Sequence, residues 1–417
     1  MPGMTAVSEQ LSIYMKRCIF LLCIPVAALG AIKLPQSDGP FGVSRRTFVW
    51  TDPTRLEDTS IPDRSARHVA GFVFYPAAGT VKPADYFPGL AGLDDTSIAG
   101  LKAQFFGSWS DVRDGKVETG ISEDSPIAEA NKPFPVLLFS PGLGVPALAY
   151  SIQLSELASQ GYVIFALDHP YDTALVRLPD GRVIKLADRN APKGPPNAAL
   201  FRIDAERESV WTKDTQFALR KIRALSSHDE LFKRSLDLSN VGVFGHSMGG
   251  RVAAQACQAM VEVRACLNQD GGLFGVDFRS GEVIPFVTER ASTNGSFLNI
   301  DVPIHLSPGD VDAEGEKSFN AWQAKKSKLL QDFLVQNAKQ TYSVVSRESG
   351  LAHGSFMDVH VLNALSDHKD PRASLGDLVL INRLNLAFFD ATLKGSHQRL
   401  ETLIRDTSSG LSIQRLH

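Results

Sequence analysis

The chain has 417 residues, 43% hydrophobic and 21% charged, which is enough apolar material to bury a large core. A formal net charge of −3, with no lysine or arginine cluster interleaved with aromatics, argues against nucleic acid as a partner. No internal repeat or low-complexity tract divides the chain, so residues 32–417 are expected to form one domain with loop insertions at 76–131 and 271–300.

At the N-terminus Lys16 and Arg17 precede an uncharged run over 18–32, in the manner of a secretory signal. That run is shorter than the ~20 residues needed to cross a bilayer, and Ala28-Leu29-Gly30 offers small residues for cleavage. Residues 1–31 are therefore expected to direct export, making the protein secreted or periplasmic. The alternative is an uncleaved anchor formed by 18–32. Initiation at Met15 would give a more ordinary signal. Neither Cys18 nor Cys23 follows a small residue, so lipidation is not expected.

Val43 to Trp50 and His68 to Tyr75 read as two early strands at a sheet edge, separated by a stretch rich in Asp, Pro and Arg. Residues 76–131 are rich in Gly, Asp, Ser and Pro and read as a surface excursion with short helices such as Asp94 to Phe106. Pro135 to Ser140 is an apolar strand, Tyr150 to Gln160 an amphipathic helix and Tyr162 to Asp168 a second strand. A long helix follows from about Asp204 to Ser226. Strands are then expected at Val241 to Phe244, Val263 to Leu267, around Pro303 to Leu306 and at Tyr342 to Val345. Short apolar strands alternating with helices predict a mostly parallel sheet covered on both faces.

The strand over 241–244 runs into Gly245-His246-Ser247-Met248-Gly249, followed by an Ala-rich helix from Arg251 to Met260. A strand that turns sharply into a helix strains the central residue and crowds its flanks, where glycine has no Cβ to clash. G-x-S-x-G in that context is a nucleophile elbow, and the architecture reads as an α/β-hydrolase fold with Ser247 as nucleophile.

A serine hydroxyl needs a base within hydrogen-bond reach and an acid to orient that base. In this fold the order is Ser, acid, His. The histidines well after Ser247 are His305, His353, His360, His368, His397 and His417. His353 lies in the small-residue loop Gly350-Leu-Ala-His-Gly-Ser-Phe356 after an expected strand and is the candidate base. His305 sits in an apolar strand and His360 on a following helix, as packing or surface residues. Two acids remain open on residue grounds: Asp270, trailed by Gly271-Gly272, and Asp310 or Asp312 in Ser-Pro-Gly-Asp-Val-Asp. Pro-Gly-Asp is also an ordinary turn sequence.

The motifs Phe139-Ser-Pro-Gly-Leu-Gly144, Asp168-His-Pro-Tyr-Asp172, Gly245-His-Ser-Met-Gly-Gly250, Asn268-Gln-Asp-Gly-Gly272 and His353-Gly-Ser-Phe-Met-Asp358 together resemble the platelet-activating factor acetylhydrolase family, plasma-type or isoform II branch. The likeness extends to Gly39-Pro-Phe-Gly-Val43, Phe74-Tyr-Pro76 and Ala387-Phe-Phe-Asp390. It implies Asp270 as the acid, His353 as the base and Asp358 as a structural helix-start residue. An oxyanion hole needs two backbone N–H donors. Met248, following the nucleophile, supplies one, and the resemblance implies Leu143 for the other. The chain departs from the plasma-type pattern at Pro141, where His is usual, and at Met248, where Phe is usual.

The expected function is hydrolysis of short, acetyl-like esters through an acyl-enzyme. By resemblance the substrate is the sn-2 acyl group of platelet-activating-factor-like or oxidised phospholipids. A general carboxylesterase or polyester hydrolase of the same fold is the alternative, and a non-catalytic binding protein a minor one. No cofactor or metal is expected, since the Asp-rich turns lack calcium-loop spacing. Partners are a small-molecule or phospholipid ester and, peripherally, a membrane or lipid particle, for which the Gly/Ser/Phe-rich stretch from Leu267 to Ile304 is a candidate lip. A plain loop insertion explains that stretch equally well. Cys257 and Cys266 are expected to be buried thiols, with one disulfide between them as the alternative.

Overall fold

The computed structural model describes residues 31–57, 64–79, 82–90, 92–105, 107–187, 197–277, 279–286, 295–302, 313–337, 340–346, 350–406 and 410–416. All but residue 31 of the expected signal, together with His305, Asp310, Asp312 and His417, lies outside the described residues. Among the described residues no helix is long and apolar enough to cross a membrane.

Strands β1 (Ile32–Lys33), β2 (Gly42–Leu56), β3 (Ala66–Ala77), β4 (Pro83–Asp85), β5 (Val117–Glu123), β6 (Phe134–Ser140) and β7 (Val163–Asp168) come first in the chain. They are followed by β8 (Leu236–His246), β9 (Val263–Gln269), β10 (Ser296–Asp301), β11 (Gln340–Ser346) and β12 (Leu411–Arg415). All join one sheet in the order β1-β5-β2-β3-β7-β6-β8-β9-β10-β11-β12, with β4 on β5. From β7 to β11 every pairing is parallel. The β2–β3 hairpin extends this block through an antiparallel β3–β7 pairing, and β12 closes the other side antiparallel.

The helices are α1 (Asp95–Gln104), α2 (Trp109–Arg113), α3 (Ser151–Ser159), α4 (Ala198–His228), α5 (Met248–Ala259), α6 (Ala313–Asn337), α7 (Val359–Ser366), α8 (Arg372–Leu393) and α9 (Gln398–Arg405). Side chains alternate across a strand, so β6 feeds both faces of the sheet. Leu137 and Phe139 pack with Leu154 of α3 and Leu384 of α8, while Val136 and Leu138 pack with Phe217 of α4 and Ala253 of α5. All seven residues of β6 are buried. Each large apolar side chain so covered contributes about 1.5–3 kcal/mol. The mostly parallel sheet with helices on both faces is as the sequence predicts.

Several elements differ from the sequence reading. The segment 76–131 does carry α1, capped by the Asp94 side chain accepting from the Ser97 amide, but it also supplies β4 and β5 to the sheet edge. Tyr86, Phe105 and Trp109 from it are buried in the core. The long helix starts earlier, at Ala198, because Asn197 caps it by accepting from the Leu200 amide. The strand expected around Pro303 to Leu306 lies outside the described residues, and the neighbour of β9 is instead β10. Asn299 masks β10 in the sequence, and its Oδ1 accepts from the side chain of Asn268 opposite it at 2.7 Å.

Cys257 of α5 and Cys266 of β9 form a disulfide, with Cα atoms 6.0 Å apart. The expected pair of free thiols is thereby corrected: the helix returns directly along the strand after it, which brings the two cysteines to bonding distance.

Candidate active site

Ser247 ends β8 and begins α5 with φ 55° and ψ −119°. A left-handed conformation of this kind costs a non-glycine residue about 1–3 kcal/mol and persists only where its surroundings over-determine it. Here the Ser247 amide donates to the Gln269 carbonyl at 2.9 Å, and the Gly249 amide to the Pro141 carbonyl at 3.1 Å. A Cβ on Gly249 would overlap the Ser140 carbonyl, so the tight turn requires glycine there.

Asp270 follows β9, also with positive φ, 55°. Asn268 builds the turn that carries it: its Oδ1 accepts from the Gly271 amide at 2.9 Å and its Nδ2 donates to the Gly271 carbonyl at 2.7 Å. The Asp270 amide donates to the Ile300 carbonyl at 2.9 Å. Its Oδ1 accepts from the Val302 amide at 2.9 Å, leaving Oδ2 to meet His353 Nδ1 at 2.6 Å. That bond fixes the imidazole tautomer, with Nδ1 protonated and Nε2 free to accept.

The Asp270 side chain is 11% exposed and that of His353 57%, so the carboxylate is sheltered while the imidazole faces solvent. Ser247, Asp270 and His353 line one cleft of about 650 Å³. Its walls are largely apolar: Phe201 from α4, Phe274 and Val276 from a hairpin after β9, Phe286, and Trp322 of α6. The stretch after Leu267 thus contributes part of the cleft wall.

Behind His353 lies His246, fully buried, its ring 4.6 Å from that of His353 and stacked on Phe356 at 4.9 Å. Burial, and then the neighbouring His353, push the His246 imidazole well below its ordinary value. The Tyr150 hydroxyl lies 2.8 Å from His246 Nδ1 and accepts from the Gly142 amide at 3.0 Å, tying the loop after β6 to the elbow. Burial pushes this phenol up.

Leu143 packs against Trp211, Met248 and Val252. Among the described residues no acceptor takes the amides of Leu143 or Met248, as is needed of two donors reserved for a substrate oxygen. The structure therefore brings Ser247, Asp270 and His353 to one cleft and sets Leu143 against Met248. His360 and His397 are exposed. Asp358 stands at the N-cap position of α7, the helix-start place expected of it, but its side chain makes no capping bond there. Its carboxylate instead accepts from the Ile152 amide of α3 at 3.2 Å and from Tyr86 at 3.1 Å, and burial raises it well above the usual carboxylate range. Tyr150, His246 and Asn268 shape the site although the sequence pattern assigns them no role; His246 and Asn268 both lie in the motifs that carry the family resemblance.

Residues 27–190 match the family model described as platelet-activating factor acetylhydrolase, isoform II. The matched stretch includes Leu143 and ends before Ser247. A probable 1-alkyl-2-acetylglycerophosphocholine esterase of Arthroderma benhamiae is 30% identical over 260 residues, covering 60% of this chain and 61% of the relative. A platelet-activating factor acetylhydrolase of Cavia porcellus is 23% identical over 277 residues, covering 60% and 58%. The matches thus span about three fifths of the length of these relatives. A solved ferulic acid esterase from Streptomyces cinnamoneus superposes with a TM-score of 0.64 at 20% identity, covering 92% of this chain and 100% of that one, which is a likeness of fold. On these matches and this sheet, the chain has an α/β-hydrolase fold and is similar, over residues 27–190, to the platelet-activating factor acetylhydrolase, isoform II, family.

Proposed function

We propose that the chain is a serine esterase that removes short, acetyl-like acyl groups, with the sn-2 ester of platelet-activating-factor-like or oxidised phospholipids as its substrate class. The observation that carries this reading is the Asp270–His353 bond of 2.6 Å opening onto the cleft that Ser247 lines. The names of the relatives support the choice of phospholipid.

In the proposed reaction Ser247 Oγ adds to the ester carbonyl as His353 Nε2 takes its proton. Asp270 stabilises the imidazolium, and the amides of Leu143 and Met248 donate to the oxyanion. Collapse expels the alcohol, which receives the proton from His353. Water then attacks the acyl-enzyme by the same route and frees Ser247. The Cys257–Cys266 disulfide supports a location in an oxidising compartment, in keeping with export.

The test compares purified wild type with Ser247→Ala on an sn-2 acetyl phospholipid and on a short nitrophenyl ester. Acetate release from the phospholipid by wild type alone is the expected result. Hydrolysis of the nitrophenyl ester alone would reduce the reading to a general carboxylesterase. Activity persisting in Ser247→Ala would overturn it.

A further inference from the structure

Away from the cleft, a second serine, histidine and aspartate form a hydrogen-bonded series sealed from solvent. Ser140, His169 and Asp214 are 1%, 0% and 0% exposed. His169 Nδ1 lies 2.9 Å from Asp214 Oδ2, and His169 Nε2 lies 3.2 Å from Ser140 Oγ. Arg67 grips Asp214 with two bonds of 2.6 and 3.2 Å, and pairs also with Glu57 at 2.7 Å. Burial alone would raise the Asp214 carboxyl, but Arg67 and His169 hold it well below the usual range. Burial lowers the His169 imidazole. His169 is therefore neutral, with Nδ1–H donating to Asp214 and Nε2 accepting from the Ser140 hydroxyl.

No substrate reaches this array, so its chemistry is not turnover. A buried ion cluster is also weak evidence for stability, since apolar residues of the same volume often serve as well. What the array does hold is the loop after β6. Ser140 precedes Pro141-Gly142-Leu143-Gly144, and the segment around His169 grips this loop at further points. Asp168 Oδ1 accepts from the Ala147 amide at 2.8 Å, the Asp172 carbonyl accepts from the Gly144 amide at 2.8 Å, and Gly144 bridges to Thr173. Trp211 stacks on His169, with ring centroids 3.9 Å apart and planes 10° apart, and its indole donates to Asp172 at 3.0 Å. The same indole packs against Leu143 and Met248, the two residues whose amides face the proposed oxyanion.

We infer that His169 is a positioning residue for acyl transfer: fixed by Asp214 and Arg67, it holds Ser140 and Trp211 so that the Leu143 amide stays aimed at the oxyanion. The inference rests on the esterase reading above. Small displacements matter because an oxyanion donor acts only at hydrogen-bond distance from where charge develops.

The test uses the full chain as wild type, His169→Phe, which keeps the stacking and loses both hydrogen bonds, and Ser140→Ala. For each, kcat and KM on nitrophenyl acetate are measured together with the Ki of a trifluoromethyl ketone and of the corresponding alcohol. Ser247 Oγ adds to the ketone carbon, its proton passes to His353, and the adduct oxygen carries the negative charge. The alcohol forms no adduct. The expected result is a fall in kcat of about tenfold or more with KM within about twofold, an equal weakening of the ketone and an unchanged alcohol Ki. Unchanged kcat, or ketone and alcohol weakening together, would overturn the inference. If His169→Phe does not fold, Ser140→Ala decides on the same criteria. A wild type inactive on the ester would instead refute the esterase reading itself, so the two failures are distinguishable.

Discussion

Asp270 Oδ2 and His353 Nδ1 meet at 2.6 Å across 83 residues of chain, and the other carboxylate oxygen of Asp270 is already taken by the Val302 amide. The Asp270 carboxylate is thus oriented by Val302, directly after β10, independently of its bond to His353. Asp270→Asn keeps the Val302 bond through its Oδ1 but presents an amide to His353, favouring the wrong tautomer. A loss in kcat of about 10³–10⁴-fold with the fold intact is expected in steady-state kinetics. A loss below tenfold would move the acid's role elsewhere.

The Cys257–Cys266 disulfide closes a short loop between α5 and β9, at a sequence separation of 9. Chain-entropy arguments give a loop of this size about 2–3 kcal/mol. Cys257→Ser with Cys266→Ser should lower the urea midpoint correspondingly while leaving kcat near wild type below the melting transition. Unchanged midpoints with and without reductant would show that the bond contributes nothing to stability.

Asp168 is buried, and burial pushes its carboxyl up to about 7, against about 3.9 in an unfolded chain. Between these values the unfolded chain loses its proton and the folded one keeps it, so stability falls as pH rises from about 4 to 7 and then levels. Asp168→Asn retains the acceptor for the Ala147 amide and cannot ionise. Its stability relative to wild type should therefore grow by about 1–4 kcal/mol between pH 4 and 8, read from urea denaturation at each pH. Parallel stability curves would contradict the assignment.

The elbow was legible because a strained turn needs its glycines at fixed spacing, and the His353 loop because small residues follow a strand. Choosing Asp270 over Asp310 required the resemblance, since both follow apolar runs and both stand in turn-like sequences. β10 escaped notice because Asn299 breaks an apolar run, and it can do so only because Asn268 pairs with it. β5 was hidden in a polar segment, and two of its strand partners, β1 and β2, lie far away in sequence. Asp358 stands at the start of α7, as the resemblance implies, but its bonds to α3 and Tyr86 join elements far apart in sequence and no local pattern encodes them. The bracing of Gly144 and Ala147 by residues 168–173 depends on strands β6 and β7 lying side by side, which no local pattern encodes.

The central claim is that Ser247 carries the acyl group, and trapping that group tests it most directly. Wild type mixed rapidly with excess nitrophenyl acetate, quenched in acid and digested, should show a burst of about one nitrophenolate per chain and one acetyl group on the peptide containing Ser247. Acetyl found on another residue, or an undiminished burst in Ser247→Ala, would contradict the account.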